Sequence, residues 1–414
     1  MFNPVSFLKA LDDEKDFFRP LEYSLVVAGV TLRTSNPIAR GLFNIYRCLL
    51  IMHVCLWFER LRYWISDSER KTEMIGSIAF LCELTVVLIR VGITYRYLNT
   101  IRNVQQFLRQ RFDDYRNPDR NRSYRKIRLV VVMLIVSYVS VLLMQLFFGV
   151  LEEPFFVAPP HLLQQRFLAT WFKYRIHVTF DAIFTSIFTA NLTIINSYLI
   201  AFDVEVKQTS TAYKKLTQKV DEIVKQNIIN SSELTFKQRK MSKELRFITV
   251  LKQELFIVIK SHIDLMDQLH DLKKFLNLTF MCMFYTQIVV SGCLLFFITL
   301  DKLTLLAVAM LSYGFTGMLE CFWYCQLTNN LSESNQAVGN AVYSTDWSHR
   351  LHYYPAVQAD YREIRNALLI VMINSQKKLG ISCGGLFEMS IEAFSDFMKM
   401  TYNCLMFLLN ATRK

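Results

Sequence analysis

Three carboxylates open the last long apolar run of the chain, "FEMSIEAFSDFMKMTYNCLMFLL" (Phe387–Leu409), with Glu388, Glu392 and Asp396 at i, i+4 and i+8. On a helix turning about 100° per residue, Glu388 and Glu392 lie within ~40° of each other, close to the line through Tyr402 and Leu409. Carboxylates on one face of a spanning helix attract cations when several copies ring a pathway; at the turn that opens the helix they serve structure instead. The spacing leaves both roles open. Asp396 is rotated further away and has Lys399 three residues on, which reads as a local ion pair.

Other reactive side chains point to less. Cys321 and Cys325, followed by His349 and His352, imitate a zinc site, but the histidine spacing is one residue short and the cysteines lie inside an apolar run. Neither a metal nor another cofactor is expected. No metalloprotease, nucleophile-elbow or phosphate-loop motif is present, so catalysis is not expected either. Charges inside apolar runs are costly and functional by default. Glu83 and Arg90 share a helix face about 10 Å apart along the axis, as a long or water-bridged pair or as an arginine reaching the interface. Arg47, Asp181 and Glu320 have no partner that spacing identifies.

The elements that carry these residues follow from composition. The chain has 414 residues, 52% of them hydrophobic and only 20% charged, outside the usual range of soluble proteins. Seven stretches are apolar over the length of a bilayer core: Leu42–Phe58, Met74–Tyr95, Leu129–Leu151, Val178–Phe202, Phe275–Leu300, Leu303–Leu327 and Phe387–Leu409. The expected fold is all-α, a polytopic seven-helix membrane protein. No cleavable leader precedes Leu42, so the first span is expected to direct insertion and the amino terminus to be retained.

Orientation follows from the basic residues, which favour the cytosolic side. The short loop Arg96–Arg128 holds ten, whereas Glu152–His177 across the bilayer holds three, so the amino terminus is expected in the cytosol and the carboxy terminus outside. This sorting accounts for the net charge of +12 without nucleic acid. "RNRSYRKIR" (Arg120–Arg128) is also placed to touch anionic membrane lipids. Nine cysteines lie in or beside apolar segments, which argues against a disulfide framework.

In this topology the outer halves of four spans carry sulfur, aromatic and hydroxyl side chains: Met74, Ser77 and Ile78; Met144, Phe147 and Phe148; Phe184 and Ile187; Met310 and Tyr313. They suit an apolar ligand pocket between helices, although for any single one of them ordinary helix packing is the commoner role. Five regions result: 1–202 with the first four spans, 203–274 as a helical extension, 275–327 with two spans, 328–386 as an anchor segment, and 387–414 as the last span. Residues 203–274 lack proline and keep helical spacing, so both flanking spans should continue inward and break near "NIINSSELT" (Asn227–Thr235), making core and extension one rigid unit.

The carboxy-terminal third carries a recognisable pattern. "ECFWYCQLTNNLSESNQAVGNAVYSTDW" (Glu320–Trp347) and "ALLIVMINSQKKLGISCGGLFEMSIEAF" (Ala367–Phe394) closely resemble the signature of insect odorant receptors, and "FFRPLEYSLVVAGV" (Phe17–Val30) resembles their start. The related gustatory receptors end in Thr-Tyr followed by Gln-Phe; here Thr401–Tyr402 is present but Leu408 and Leu409 stand in place of Gln-Phe, which favours the odorant branch. The chain lacks the longer loop and the ending of the shared co-receptor, so it resembles a ligand-tuning subunit.

That resemblance implies an odorant-gated, non-selective cation channel in the plasma membrane of olfactory sensory neurons, a heterotetramer with the co-receptor. It implies a small volatile bound in the outer half of the bundle and a central pore lined by the last span. By the same resemblance Leu405 and Leu409 match a hydrophobic gate, with Leu408 where the co-receptor has a glutamine. A seven-span G-protein-coupled receptor is the alternative, and it requires the opposite orientation.

Overall fold

The computed structural model of the protein describes residues 22, 25–32, 36–66, 71–112, 177–228, 236–300, 305–345, 347, 351 and 353–412, with seven positions between 129 and 143. The described residues are overwhelmingly helical: α1 (Pro37–Ser66), α2 (Lys71–Arg96), α3 (Leu98–Phe112), α4 (His177–Ile228), α5 (Phe236–Leu300), α6 (Leu305–Ser344), α7 (Gln358–Gln376) and α8 (Ile391–Thr412). A two-stranded hairpin, β1 (Ser382–Cys383) and β2 (Phe387–Glu388), precedes α8.

Local chemistry sets where these helices start and stop. The side-chain oxygen of Asn36 accepts the Ile38 amide at 3.0 Å, and Pro37 supplies a preset first residue, so α1 begins where its cap allows. Its residues Leu42, Ile45, Ile51 and Phe58 remain exposed, an apolar surface suited to hydrocarbon. Arg47 turns from that surface and donates to the carbonyls of Gly29 and Val30 at 2.7 and 2.6 Å, pinning the turn before α1. The stretch expected as a loop from Arg96 begins instead as α3, because Ile101, Val104 and Leu108 form one buried face.

α4, α5 and α6 have 52, 65 and 40 residues, or roughly 78, 98 and 60 Å at 1.5 Å per residue, well beyond the ~30 Å of a bilayer core. Among the described residues, Pro37–Tyr63, Met74–Arg96 and Glu244–Phe296 have the length and composition to cross a membrane. Of the expected third span only seven positions are described, all helical; Leu129, Met133, Val136 and Leu143 among them are exposed.

Packing divides the chain into two compact units, the first formed by residues up to Tyr198 with Lys273–Gln326 and Ile381–Lys414, the second by Leu199–Leu272 and Leu327–Gly380. The hairpin belongs with the first unit. Asn277 of α5 explains it: its side chain accepts the Ser382 amide at 2.8 Å and its carbonyl accepts the Gly384 amide at 3.0 Å.

The hairpin also corrects the last span. Phe387 and Glu388 are paired in β2, opposite Cys383 and Ser382, and the helix starts only at Ile391. Ser390 caps it, its hydroxyl accepting the Ala393 amide at 3.2 Å. Gly384 and Gly385 form the turn with φ of +62° and +84°. A Cβ on Gly384 would also lie 2.5 Å from the sulfur of Met281. Gly384→Ala is therefore expected to cost about 1–2 kcal/mol through the backbone alone, read as a lower melting temperature of the purified protein, with Met281→Ala recovering only the contact part.

In the second unit, side-chain bonds fasten helix to helix. Ser334 donates to Asp203 at 2.5 Å, and Ser210 donates to the Ala337 carbonyl at 3.2 Å, joining α4 to α6. Asn335 donates to the carbonyls of Ser375 and Lys377 at 3.0 and 3.4 Å, covering acceptors that the end of α7 leaves open. Lys252 of α5 bridges Asp360 and Glu363 of α7 at 2.7 and 2.6 Å, and these bonds hold its pKa above the ordinary lysine value.

Candidate functional site

The expected ligand residues that are described all belong to the first unit. On α2, Ser77 is fully buried and its hydroxyl has no hydrogen-bond partner among the described residues, while Met74 and Ile78 are half-buried. On α4, Phe184 and Ile187 are buried. Met310 and Tyr313 lie on α6, with only their helical backbone described, and Met144, Phe147 and Phe148 lie outside the described residues, as do Arg120–Arg128, His349 and His352. A cavity of about 450 Å³, lined by Val224, Leu245, Arg246, Thr249 and Val250, occurs in the second unit and includes none of these residues.

A buried ion pair lies beside the α4 residues. Arg90 Nη1 of α2 stands 3.6 Å from Glu320 Oε1 of α6, with side chains only 3% and 2% exposed. The guanidinium also lies over the ring of Phe188, 5.2 Å from its centroid, and Phe188 is one helical turn from Phe184. Arg90 is thus buried between helices rather than extended to an interface. Burial strips both charges of solvent, which they tolerate only as partners. One signal was available beforehand, since α2 and α6 each carry a charge of opposite sign in an apolar run.

The pair is one strand of a polar seam. Trp323 Nε1 donates to Asn196 Oδ1 at 2.9 Å, tying α6 to α4. Gln287 of α5 presses on Gly317 of α6 so closely that a Cβ there would overlap its side-chain amide. Small residues allow such approach between membrane helices, and hydrogen bonds then fix the register.

α8 has two unlike sides. Ala393, Phe397 and Thr401 are buried; Phe397 meets Phe284 edge-on at 5.1 Å, and the adjacent Phe394 meets Phe322 at 5.3 Å. At Gly292 of α5 the helices nearly touch, and a Cβ there would lie 2.6 Å from Cys404 Sγ. Leu405, Leu408 and Leu409 are half-buried; Tyr402, Glu392, Asp396, Lys399 and Asn403 are exposed. Lys399 pairs with Asp396 at 2.8 Å, as their spacing predicts.

Glu388 and Glu392 do not share a helix face, because Glu388 belongs to β2. The Glu388 charge is complemented by that of Lys273 on α5. Glu392 lies in the first turn of α8, where a carboxylate complements the helix dipole.

Comparisons with known proteins agree with this architecture. A family model described as 7tm Odorant receptor matches residues 72–402. Odorant receptor Or2 of Anopheles gambiae is 22% identical over 151 residues, which cover 36% of this chain and 37% of that relative. The insect olfactory receptor OR5 from Machilis hrabei superposes with a TM-score of 0.71 at 12% identity, covering 95% of this chain and 98% of that one. The same receptor in complex with eugenol gives 0.63 at 14% identity, with 98% and 99% covered.

Proposed function

Because the chain belongs to the insect odorant receptor family, we propose that it is the ligand-tuning subunit of an odorant-gated, non-selective cation channel. It is a multi-pass membrane receptor rather than an enzyme. In this reading it sits in the plasma membrane of olfactory sensory neurons with its amino terminus in the cytosol, and assembles with the co-receptor as a heterotetramer. The observation that carries the reading is the two-sided α8: one side packs on aromatic rings, and the other exposes charges and amides that hydrocarbon does not solvate.

The ligand is a small, largely apolar volatile. Phe184 and Ile187 supply apolar contact and the Ser77 hydroxyl a hydrogen bond; Met74, Ile78, Met144, Phe147, Phe148, Met310 and Tyr313 complete the set of ligand residues in this reading. Bound ligand opens the channel only by its difference in affinity for the open and closed packings. The packed contacts of α6 and α5 with α8 carry that difference to an apolar constriction at Leu405 and Leu409, with Leu408 beside them. Glu392 lies at the inner mouth, with Glu388 in the hairpin before it.

An odorant panel on cells expressing this chain with the co-receptor tests the proposal. Cation current to at least one volatile is expected, and Ser77→Ala should weaken response to hydrogen-bonding ligands about tenfold, the worth of one hydrogen bond, while sparing hydrocarbons. Equal loss for both ligand classes would remove Ser77 from the pocket.

A further inference from the structure

We propose that the β1–β2 hairpin is the fulcrum on which α8 tilts during gating, and that Asn277 of α5 is the positioning residue that seats it. The inference rests on the reading of α8 as the pore helix and adds what holds its start.

The seat is one face of α5. Lys273, Asn277, Met281 and Phe284 fall within ~80° of one another on that helix, and each meets the hairpin. Asn277 Oδ1 accepts the Ser382 amide at 2.8 Å, and the Asn277 carbonyl accepts the Gly384 amide at 3.0 Å. Met281 occupies the space beside Gly384 that a Cβ would need, and the charge of Lys273 complements that of Glu388. The Phe284 ring meets Phe387 of the hairpin at 5.0 Å and Phe397 of α8 at 5.1 Å. One ring of α5 therefore touches both the hairpin and the helix that follows it.

The hairpin has little hold of its own. Its strands are two residues each, a length that is marginal in isolation, and its tip from Gly384 to Leu386 is exposed. The Asn277 bonds therefore decide where it rests. Buried Met389 passes that hold directly to α8: its amide donates to the Ile381 carbonyl at 3.0 Å, and Ser390, the cap of α8, is the next residue.

A held start turns α8 into a lever. The helix has 22 residues and satisfies its own backbone, so it moves as a rod. α6, which carries Met310 and Tyr313, reaches it at Phe394, where the ring of Phe322 lies 5.3 Å away. Phe394 stands about 4.5 Å along the rod from Ile391, and Leu405 about 21 Å. With the start seated, a sideways push at Phe394 becomes a tilt, enlarged about fivefold at Leu405 by those lengths. With the start free, the rod follows the push bodily and the enlargement is lost.

Odorant dose–response curves of the complex with the co-receptor test this, with surface abundance and single-channel conductance measured in parallel. Asn277→Leu keeps the side-chain shape and removes the acceptor. It is expected to raise the half-maximal concentration about fivefold, in line with the loss of one hydrogen bond, for every activating ligand alike and with conductance unchanged. Asn277→Asp keeps an acceptor oxygen and should lie close to the native curve. A native curve for Asn277→Leu overturns the inference, as do a shift confined to some ligands, an altered conductance, or equal impairment by Asn277→Asp. Should Asn277→Leu fail to reach the surface, Phe387→Leu weakens the same seat at its ring contact; a uniform shift then supports the fulcrum and an unmoved curve overturns it. Absence of odorant-evoked current from the native complex instead overturns the channel reading itself.

Discussion

Glu320→Ala removes most of the folded receptor from the cell surface. The substitution leaves Arg90 without the carboxylate 3.6 Å away, in a site where the arginine is almost wholly enclosed. Breaking one partner of a buried ion pair typically costs about 3–5 kcal/mol, because the remaining charge stays desolvated. That is a large fraction of a typical stability margin. Arg90→Ala should do the same and also lose the cation–π contact with Phe188. Replacing both with methionine should do much less harm than either alanine, since no charge is then stranded. Melting temperatures of the purified proteins and surface biotinylation measure the series; equal losses in the single and double substitutions would show that the two charges do not compensate each other.

Gly292→Ala shifts gating without touching ligand or pore. The new Cβ meets Cys404 Sγ at 2.6 Å and Cys404 Cβ at 2.9 Å, one residue before Leu405, so α8 or α5 must move. Overpacking of this kind typically costs about 1–3 kcal/mol. Where it bears unequally on closed and open packings, half of that changes odorant sensitivity about two- to tenfold. Cys404→Gly removes both clashing atoms and should return the dose–response curve toward the native one, at about 1 kcal/mol of helix propensity. A shifted curve that Cys404→Gly leaves unmoved would locate the effect elsewhere.

Much of the architecture was legible because helices in lipid must satisfy their own backbone, so apolar length and proline-free spacing translate directly into elements. α4 is described to Ile228 and α5 from Phe236, on either side of the stretch of Asn, Ser and Thr that interrupts the pattern. The polar seam was less legible. Arg90 and Glu320 are 230 positions apart, and no periodicity joins residues whose pairing is set by tertiary packing.

The start of the last helix was misjudged for a local reason. Phe387 and Glu388 continue the apolar run in composition, yet Ser390 supplies the cap and two left-handed glycines close a hairpin before it. A serine two residues after the carboxylate was the available signal, and hydrophobicity outweighed it. Once the helix begins at Ile391, the three carboxylates separate into a hairpin residue that acts on Lys273, a first-turn residue, and one half of an ion pair.

The signature in the carboxy-terminal third also acquires a physical role. Two of its residues, Ser334 and Asn335, bond α6 to Asp203 and to the end of α7.

The central claim is that ligand binding and cation conduction belong to one assembly. Purified complex of this chain with the co-receptor, reconstituted in lipid vesicles with no other protein, should pass monovalent cations when an activating volatile is added and fall silent when it is removed. Vesicles that stay impermeable to every volatile that excites intact cells, with the cellular response abolished by blocking G proteins, would contradict the account.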